Sequence, residues 1–228
     1  MFKEIKVSTR VSPGRPFSVS HELILTTAIQ IVDEEGADAL TLRRLAKSMN
    51  SGTATLYRNF ESREALIAQV VDRLFAEMEA SMPEVAGLGW KQACRMLANH
   101  MFTTLRRHRG AAQLLIKAIP NGPNAMIQRE RSLAILLNNG FSAPLAARAY
   151  ATLARYVLGF AIQFSDNGAS GEDDAKQAEA FHRLDWSAFP ATLFVIGELP
   201  LPLDEEFSFG LDLMIYGLSE LRKNDSNK

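Results

Sequence analysis

The stretch Thr41-Leu-Arg-Arg-Leu-Ala-Lys-Ser-Met-Asn-Ser-Gly-Thr-Ala-Thr-Leu-Tyr-Arg-Asn-Phe-Glu-Ser-Arg63 decides the fold. Thr41 is placed to cap a short helix over Leu42–Met49, because its hydroxyl can accept a first-turn N–H. Asn50-Ser51-Gly52 is a tight turn, and Asn50 is the non-glycine type best able to take a positive φ there. A third helix follows over Thr53–Asn59, and Ser62 caps a fourth running to about Met82, closed by Ser81-Met82-Pro83. Leu42, Leu45, Met49, Leu56 and Phe60 form an apolar seam between the short helices. Ala46 is small where the second of them must cross closely.

The seam leaves Thr41, Arg43, Arg44, Lys47, Thr53, Thr55, Tyr57, Arg58, Asn59 and Arg63 facing outwards. Five basic residues stand against one acid, Glu61, between Thr41 and Arg63, although the whole chain has a formal net charge of −1. A local basic excess on a helix–turn–helix is the electrostatic footprint that phosphate binding requires. Taken alone, the charge is equally that of a solvated helix face. The capped helix pair and its turn favour DNA. The acids Asp33, Glu34, Glu35 and Asp38 gather at the preceding turn, away from a duplex.

Outward from this segment the chain is helical throughout, with no strand-like alternation. Ser20 caps a first helix with an apolar stripe of Leu23, Ile24, Ala28, Ile31 and Val32, ended by Gly36. Residues 1–18 carry Lys3, Lys6, Arg10 and Arg15 among Pro13, Gly14 and Pro16, and are expected to form a flexible basic arm that adds non-specific DNA affinity. Further helices are expected at about 90–108, 111–119, 124–139, 143–165 and 206–222. Residues 166–174 are expected to be a mobile acidic loop, and 186–204 a packed, partly helical connection. The expected organisation is all-α: the arm over 1–18, a three-helix helix-turn-helix DNA-binding domain over 19–78 with its reader at about 41–60, a helical ligand-binding and dimerisation domain over 79–222, and a polar tail over 223–228.

Composition sets outer bounds. The 228 residues are 47% hydrophobic and 22% charged, ordinary for a globular protein with a real core. Cys94 is the single cysteine, so no internal disulfide forms. No apolar run approaches the ~20 residues of a membrane span. These features lead us to expect a cytoplasmic protein. The histidines His21, His100, His108 and His182 are scattered without metal-ligand spacing, so no metal or cofactor is expected.

The segments Ala39-Leu-Thr-Leu-Arg-Arg-Leu-Ala46, Thr55-Leu-Tyr-Arg-Asn-Phe60 and Ser62-Arg-Glu-Ala-Leu66, with Gly14-Arg-Pro16 and Asp33-Glu-Glu-Gly36 before them, resemble the DNA-binding domain of the tetracycline-repressor (TetR) family. Glu206–Leu221 is similar to the final helix of the subgroup nearest the tetracycline repressor. The resemblance implies a ligand-responsive regulator, in the first place a repressor released from operator DNA by a small, largely apolar effector. It implies Thr41 at a phosphate, Arg43 at bases or backbone, and Thr53, Ala54 and Thr55 opening the recognition helix. Tyr57 matches a phosphate-contacting tyrosine, and Arg63 a lysine at the start of the fourth helix; Arg44, Arg58 and Asn59 complete the expected DNA-binding set. One departure is the turn, where Met49-Asn50-Ser51 replaces Leu-Gly-Val and puts a polar residue at a normally buried position.

In the C-terminal half, Gly210 and Gly217 lie seven residues apart in the last helix, which favours close approach of another helix or packing on the chain's own core. With Leu153, Val157, Met214 and Leu218 they make up the expected interface of a homodimer, whose two-fold axis would match a palindromic operator. Met78, Leu97, His100, Met101, Tyr150, Phe160, Gln163 and Phe164 are the expected lining of an effector pocket, large or adaptable side chains with sparse polar groups. Phe75, Met78 and Met82 recur at near-helical spacing on the fourth helix and are expected to face it. The helix after Gly110 reads Ala111-Ala-Gln-Leu-Leu-Ile with no histidine, so a magnesium–tetracycline chelate is not the expected effector. Two other readings stand beside this one: a dimeric DNA-binding protein that senses nothing, and an enzyme, for which no nucleophile–base constellation is visible.

Overall fold

The computed structural model describes residues 20–166 and 171–225. Eleven α-helices hold most of them, and no strand occurs among the described residues. The N-terminal unit is α1 (His21–Glu35), α2 (Leu42–Ser48) and α3 (Thr53–Tyr57), joined to the body by α4 (Arg63–Ala80). The body contains α5 (Trp90–Arg107), α6 (Ala111–Lys117), α7 (Pro123–Asn138), α8 (Ala143–Asp166) and α11 (Leu203–Asp225). Between α8 and α11 lie α9 (Gly171–His182) and α10 (Pro190–Val195). The expected basic arm lies outside the described residues. None of the described helices is long and apolar enough to cross a membrane.

The caps written in the sequence are made. Ser20, Thr41 and Ser62 accept the N–H groups of Leu23, Arg44 and Ala65 at 3.2, 3.0 and 3.1 Å. Each satisfies one of the four N–H groups a helix start leaves unpaired. On α1 the buried face is Ile24, Leu25, Ala28, Ile29, Ile31 and Val32, whereas Leu23 is 54% exposed. The stripe is therefore displaced from the expected one, because Leu25 and Ile29 lie a helical turn apart on the side that meets α2 and α4. These residues close a core with Leu42, Leu45, Ala46, Leu56, Phe60, Leu66 and Val70.

In the body, α5 packs along α8, α4 against α7, and α11 against α8 and α5. The short α6 touches α1, α4 and α8, so it lies where the head meets the body. Gly110, just before α6, has its Cα against Val32 of α1.

Three segments differ from expectation; of the expected acidic loop, residues 167–170 lie outside the described residues. Residues 171–174 belong to α9 rather than to an acidic loop, as the start of a helix that continues through the strong helix formers Ala175, Ala178 and Ala180. The connection 186–204 is partly helical but not packed: Phe189, Leu193, Phe194, Val195 and Leu201 are exposed, Phe194 at 91%. Pro190 starts α10 after Phe189, and the helix spans only six residues, too short for a long apolar stripe to find the core. The last helix runs to Asp225 and takes in the start of the expected polar tail.

Candidate nucleic-acid interface and effector cavity

The reader is built as its sequence suggests. Asn50 has φ of 48°, the left-handed conformation that reverses the chain, and its N–H donates to the Lys47 carbonyl at 3.2 Å. The Ser51 N–H donates to the carbonyl of Ala46 at 3.0 Å, binding the turn back onto α2. The polar residue in the normally apolar position has a visible consequence: the Ser51 hydroxyl is buried and has no hydrogen-bond partner among the described residues.

The expected DNA-binding residues separate into two groups. Thr41, Arg43, Thr53, Ala54, Tyr57, Arg58 and Asn59 are exposed, and Thr55 is half-buried. Thr41 also has its capping role. Arg58 donates to the Thr55 hydroxyl at 3.3 Å, and the Asn59 amide to the Thr55 carbonyl at 2.8 Å, so these two lie back along α3. Arg44 and Arg63 are half-buried and engaged within the head itself. Arg44 grips Glu35 at the end of α1 through two N–H groups, which lowers the Glu35 pKa and raises that of Arg44. Arg63 donates to the Leu40 carbonyl at 2.6 Å and to that of Ala37 at 3.1 Å, bracing the α1–α2 loop. Both guanidiniums hold the head together.

Asp33 at the end of α1 and Asp38 in the loop after it join head to body. Asp38 accepts from Lys117 of α6 at 2.5 Å. His108, at the end of α5, bridges Asp33 of α1 through Nδ1 at 2.9 Å and Glu77 of α4 through Nε2 at 3.1 Å. The hydrogen bond to Asp33 is the main cause that raises the His108 pKa above its ordinary value, with burial acting against it and Glu77 adding to it. An imidazole that donates from both nitrogens is an imidazolium.

A cavity of about 260 Å³ opens between α4, α5, α7 and α8. Phe75 and Met78 face it from α4, Met82 from just beyond the end of that helix, which stops at Ala80 rather than at Met82, and Leu97, His100 and Met101 from α5, with Tyr150 from α8. Phe160, Gln163 and Phe164 do not line it. Phe164 instead meets Phe102 edge-on, and Phe160 packs on Tyr156 and Phe207. His100 gives Nε2 to the Met78 carbonyl at 2.8 Å, tying α5 to α4. Cys94 also lines the cavity, and burial pushes its thiol up to about 11, far from a nucleophile's range. Sequence reasoning missed Gln128, Arg129 and Ser132, whose α7 shows only a weak apolar stripe, and Leu153 and Val157, assigned there to a dimer interface. Among the described residues no group of three His, Cys, Asp or Glu side chains is placed to hold a metal ion.

The residues expected at a dimer interface are likewise divided. Val157 and Leu218 are buried within the subunit. Gly210 is packed on Tyr156, whose hydroxyl donates to the Phe207 carbonyl at 2.8 Å. Met214 is half-buried, and Gly217 is exposed with open space before its Cα. The apolar face left uncovered on α11 is Phe209, Leu213 and Tyr216.

A capped helix-turn-helix joined by one continuous helix to an all-helical body with an apolar cavity defines a two-domain DNA-binding regulator. Two family models match: bacterial regulatory proteins of the tetR family over residues 24–70, and the tetracyclin repressor-like C-terminal domain over residues 82–222. The chain belongs to the TetR family of transcriptional regulators. It is similar to the transcriptional repressor DrrR1 of Streptomyces coeruleorubidus, 26% identical over 93% of this chain and 82% of that one. The class E tetracycline repressor protein of Escherichia coli is 26% identical over 86% of this chain and 89% of its own. Among solved structures, apo ActR of Streptomyces coelicolor is 29% identical, with a TM-score of 0.77 over 91% of this chain and 98% of that chain. ActR in complex with actinorhodin is 28% identical at the same TM-score, over 90% of this chain and 98% of its own.

Proposed function

We propose that this protein is a dimeric repressor that leaves a palindromic operator when a small, largely apolar effector fills the cavity between α4, α5, α7 and α8. The observation that carries this reading is the double duty of α4. Its N-terminal turn is fixed to the reading head by Arg63, and its C-terminal turns present Phe75 and Met78 to the cavity, with Met82 just after its end. A ligand pressing on those side chains acts on the helix that positions α3. In a two-fold dimer, tilting α4 moves the two recognition helices away from the ~34–36 Å separation of successive major grooves. The ActR complex supports the idea of an effector site in this fold. The exposed face of Phe209, Leu213 and Tyr216 on α11 supports a second copy as the partner. Arg43, Lys47, Thr53, Ala54 and Tyr57 are the exposed side chains that would meet DNA, and no catalytic role is proposed for any residue.

The test combines operator selection from random DNA with a thermal-shift screen for compounds that stabilise the protein. Operator affinity, read by fluorescence anisotropy, is then compared with and without a stabilising compound. The reading requires operator affinity to fall, and the compound's affinity to fall by the same factor when operator is present. A compound that binds in the cavity and leaves operator affinity unchanged overturns it.

A further inference from the structure

The charges that face the cavity are of one sign. Arg129 from α7 and Arg155 from α8 line it, and none of its described lining residues is an aspartate or glutamate. Arg129 is half-buried, and among the described residues it has no carboxylate partner. Its guanidinium donates to the Pro120 carbonyl at 2.9 Å, to the Met126 thioether at 2.9 Å and to the Tyr150 hydroxyl at 3.4 Å. All three acceptors are neutral, and a guanidinium carries five N–H groups, so two remain. Two residues along the same helix the arrangement is different. Arg131 is held by both oxygens of Glu79, at 2.7 and 2.5 Å, and that pairing lowers the Glu79 pKa. One arginine of α7 is neutralised by α4, and the other is left beside an apolar cavity with no counter-ion.

A partly desolvated cation without a counter-ion is costly, and the cost falls when an anion arrives in the same place. Resting on the reading of the cavity as the effector site, we infer that the effector is an organic anion, a largely apolar body carrying one carboxylate-like group received by Arg129. The Tyr150 hydroxyl, whose hydrogen has no acceptor among the described residues, is the second donor to that group. Arg155, exposed at the cavity rim, attracts it on entry. The apolar remainder lies against Met78, Leu97 and Met101. A neutral molecule of the same shape gains the apolar contacts and leaves the guanidinium as it was. The acid group thus selects among ligands that fit equally well.

The test uses two fluorescent probes with one aromatic body, 8-anilinonaphthalene-1-sulfonate and the uncharged N-phenyl-1-naphthylamine, titrated into the full chain. Leu97→Trp fills the cavity and is expected to weaken both. Arg129→Gln, which keeps a donor for Pro120, is expected to weaken the sulfonate about tenfold, the ~1.4 kcal/mol of one charge-assisted hydrogen bond, and to leave the neutral probe within about twofold. Arg129→Lys should restore most of the difference, and Arg155→Gln, at an exposed position, should weaken the sulfonate alone by a smaller factor. Thermal melts confirm that each variant is folded. If the cavity-filling variant weakens both probes but Arg129→Gln and Arg155→Gln move them equally or not at all, the anionic effector is refuted and the cavity reading stands. If Leu97→Trp leaves both probes bound, the cavity reading is refuted and the inference with it.

Discussion

Gly110→Ala is a one-carbon change at the junction between reading head and body. A Cβ at Gly110 would lie 2.5 Å from the Val32 carbonyl oxygen, 2.6 Å from Val32 Cγ1 and 3.2 Å from the Ala37 nitrogen. The first two distances are short of an ordinary contact by about 1 Å. Neither atom can yield cheaply. The Val32 carbonyl accepts the Gly36 N–H at 3.0 Å, which ends α1, and the Val32 side chain is β-branched and 2% exposed. The new methyl must therefore push α1 away from α6. Overpacking of this kind costs about 1–3 kcal/mol. Gly110 has φ of −89°, open to any residue, so alanine also loses less chain entropy on folding, which returns about 0.4–1 kcal/mol. The steric term is larger, and the net is a destabilisation of about 1–2 kcal/mol. For a chain of this size that lowers Tm by roughly 2–8 °C. Differential scanning calorimetry, with operator affinity alongside, measures both the loss and its effect on the head. A variant as stable as the parent would refute the claim that α1 and α6 are in fixed contact.

Arg43→Ala and Tyr57→Phe are expected to weaken operator binding, Arg43→Ala by about 1–3 kcal/mol, with Tm unchanged. Arg63→Ala should lower Tm as well, because it strips partners from the Leu40 and Ala37 carbonyls; equal melting of the three variants would contradict the division made between outward and inward arginines. Ser51→Val removes a buried hydroxyl without a partner and is expected to raise stability by about 1 kcal/mol in urea titrations, whereas a loss would show that the hydroxyl is satisfied. The raised pKa of His108 has a definite sign: stability from its pairing with Asp33 and Glu77 is fully present below the unfolded-state value near 6.5 and is lost as pH rises through the higher folded-state value. His108→Gln should therefore flatten the fall in Tm above neutral pH, and an unchanged slope would assign that fall to other groups. Leu213→Asp places a charge on the uncovered face of α11 and is expected to shift sedimentation from dimer to monomer; a dimer that persists would locate the interface elsewhere.

The head of this molecule was legible in the sequence because its determinants are local. Ser20, Thr41 and Ser62 cap N–H groups three residues on, and Asn50 reverses the chain within a single residue. Such signals depend on spacing along the chain and survive any tertiary context. The family motifs lie in the same residues. Other features depend on what comes near in space from far away in sequence. Arg43 and Arg44 are neighbours of identical type, and the position of Glu35 on α1 engages Arg44 within the head while Arg43 stays exposed. Arg129 and Arg131 are separated in the same way by Glu79 on α4. The cavity is a space that four helices fail to fill, so no periodicity records it, and Leu153 and Val157 read equally well as lining or as interface. A helix stripe shows which side chains are apolar but not what covers them, and covering is decided by the packing of whole helices.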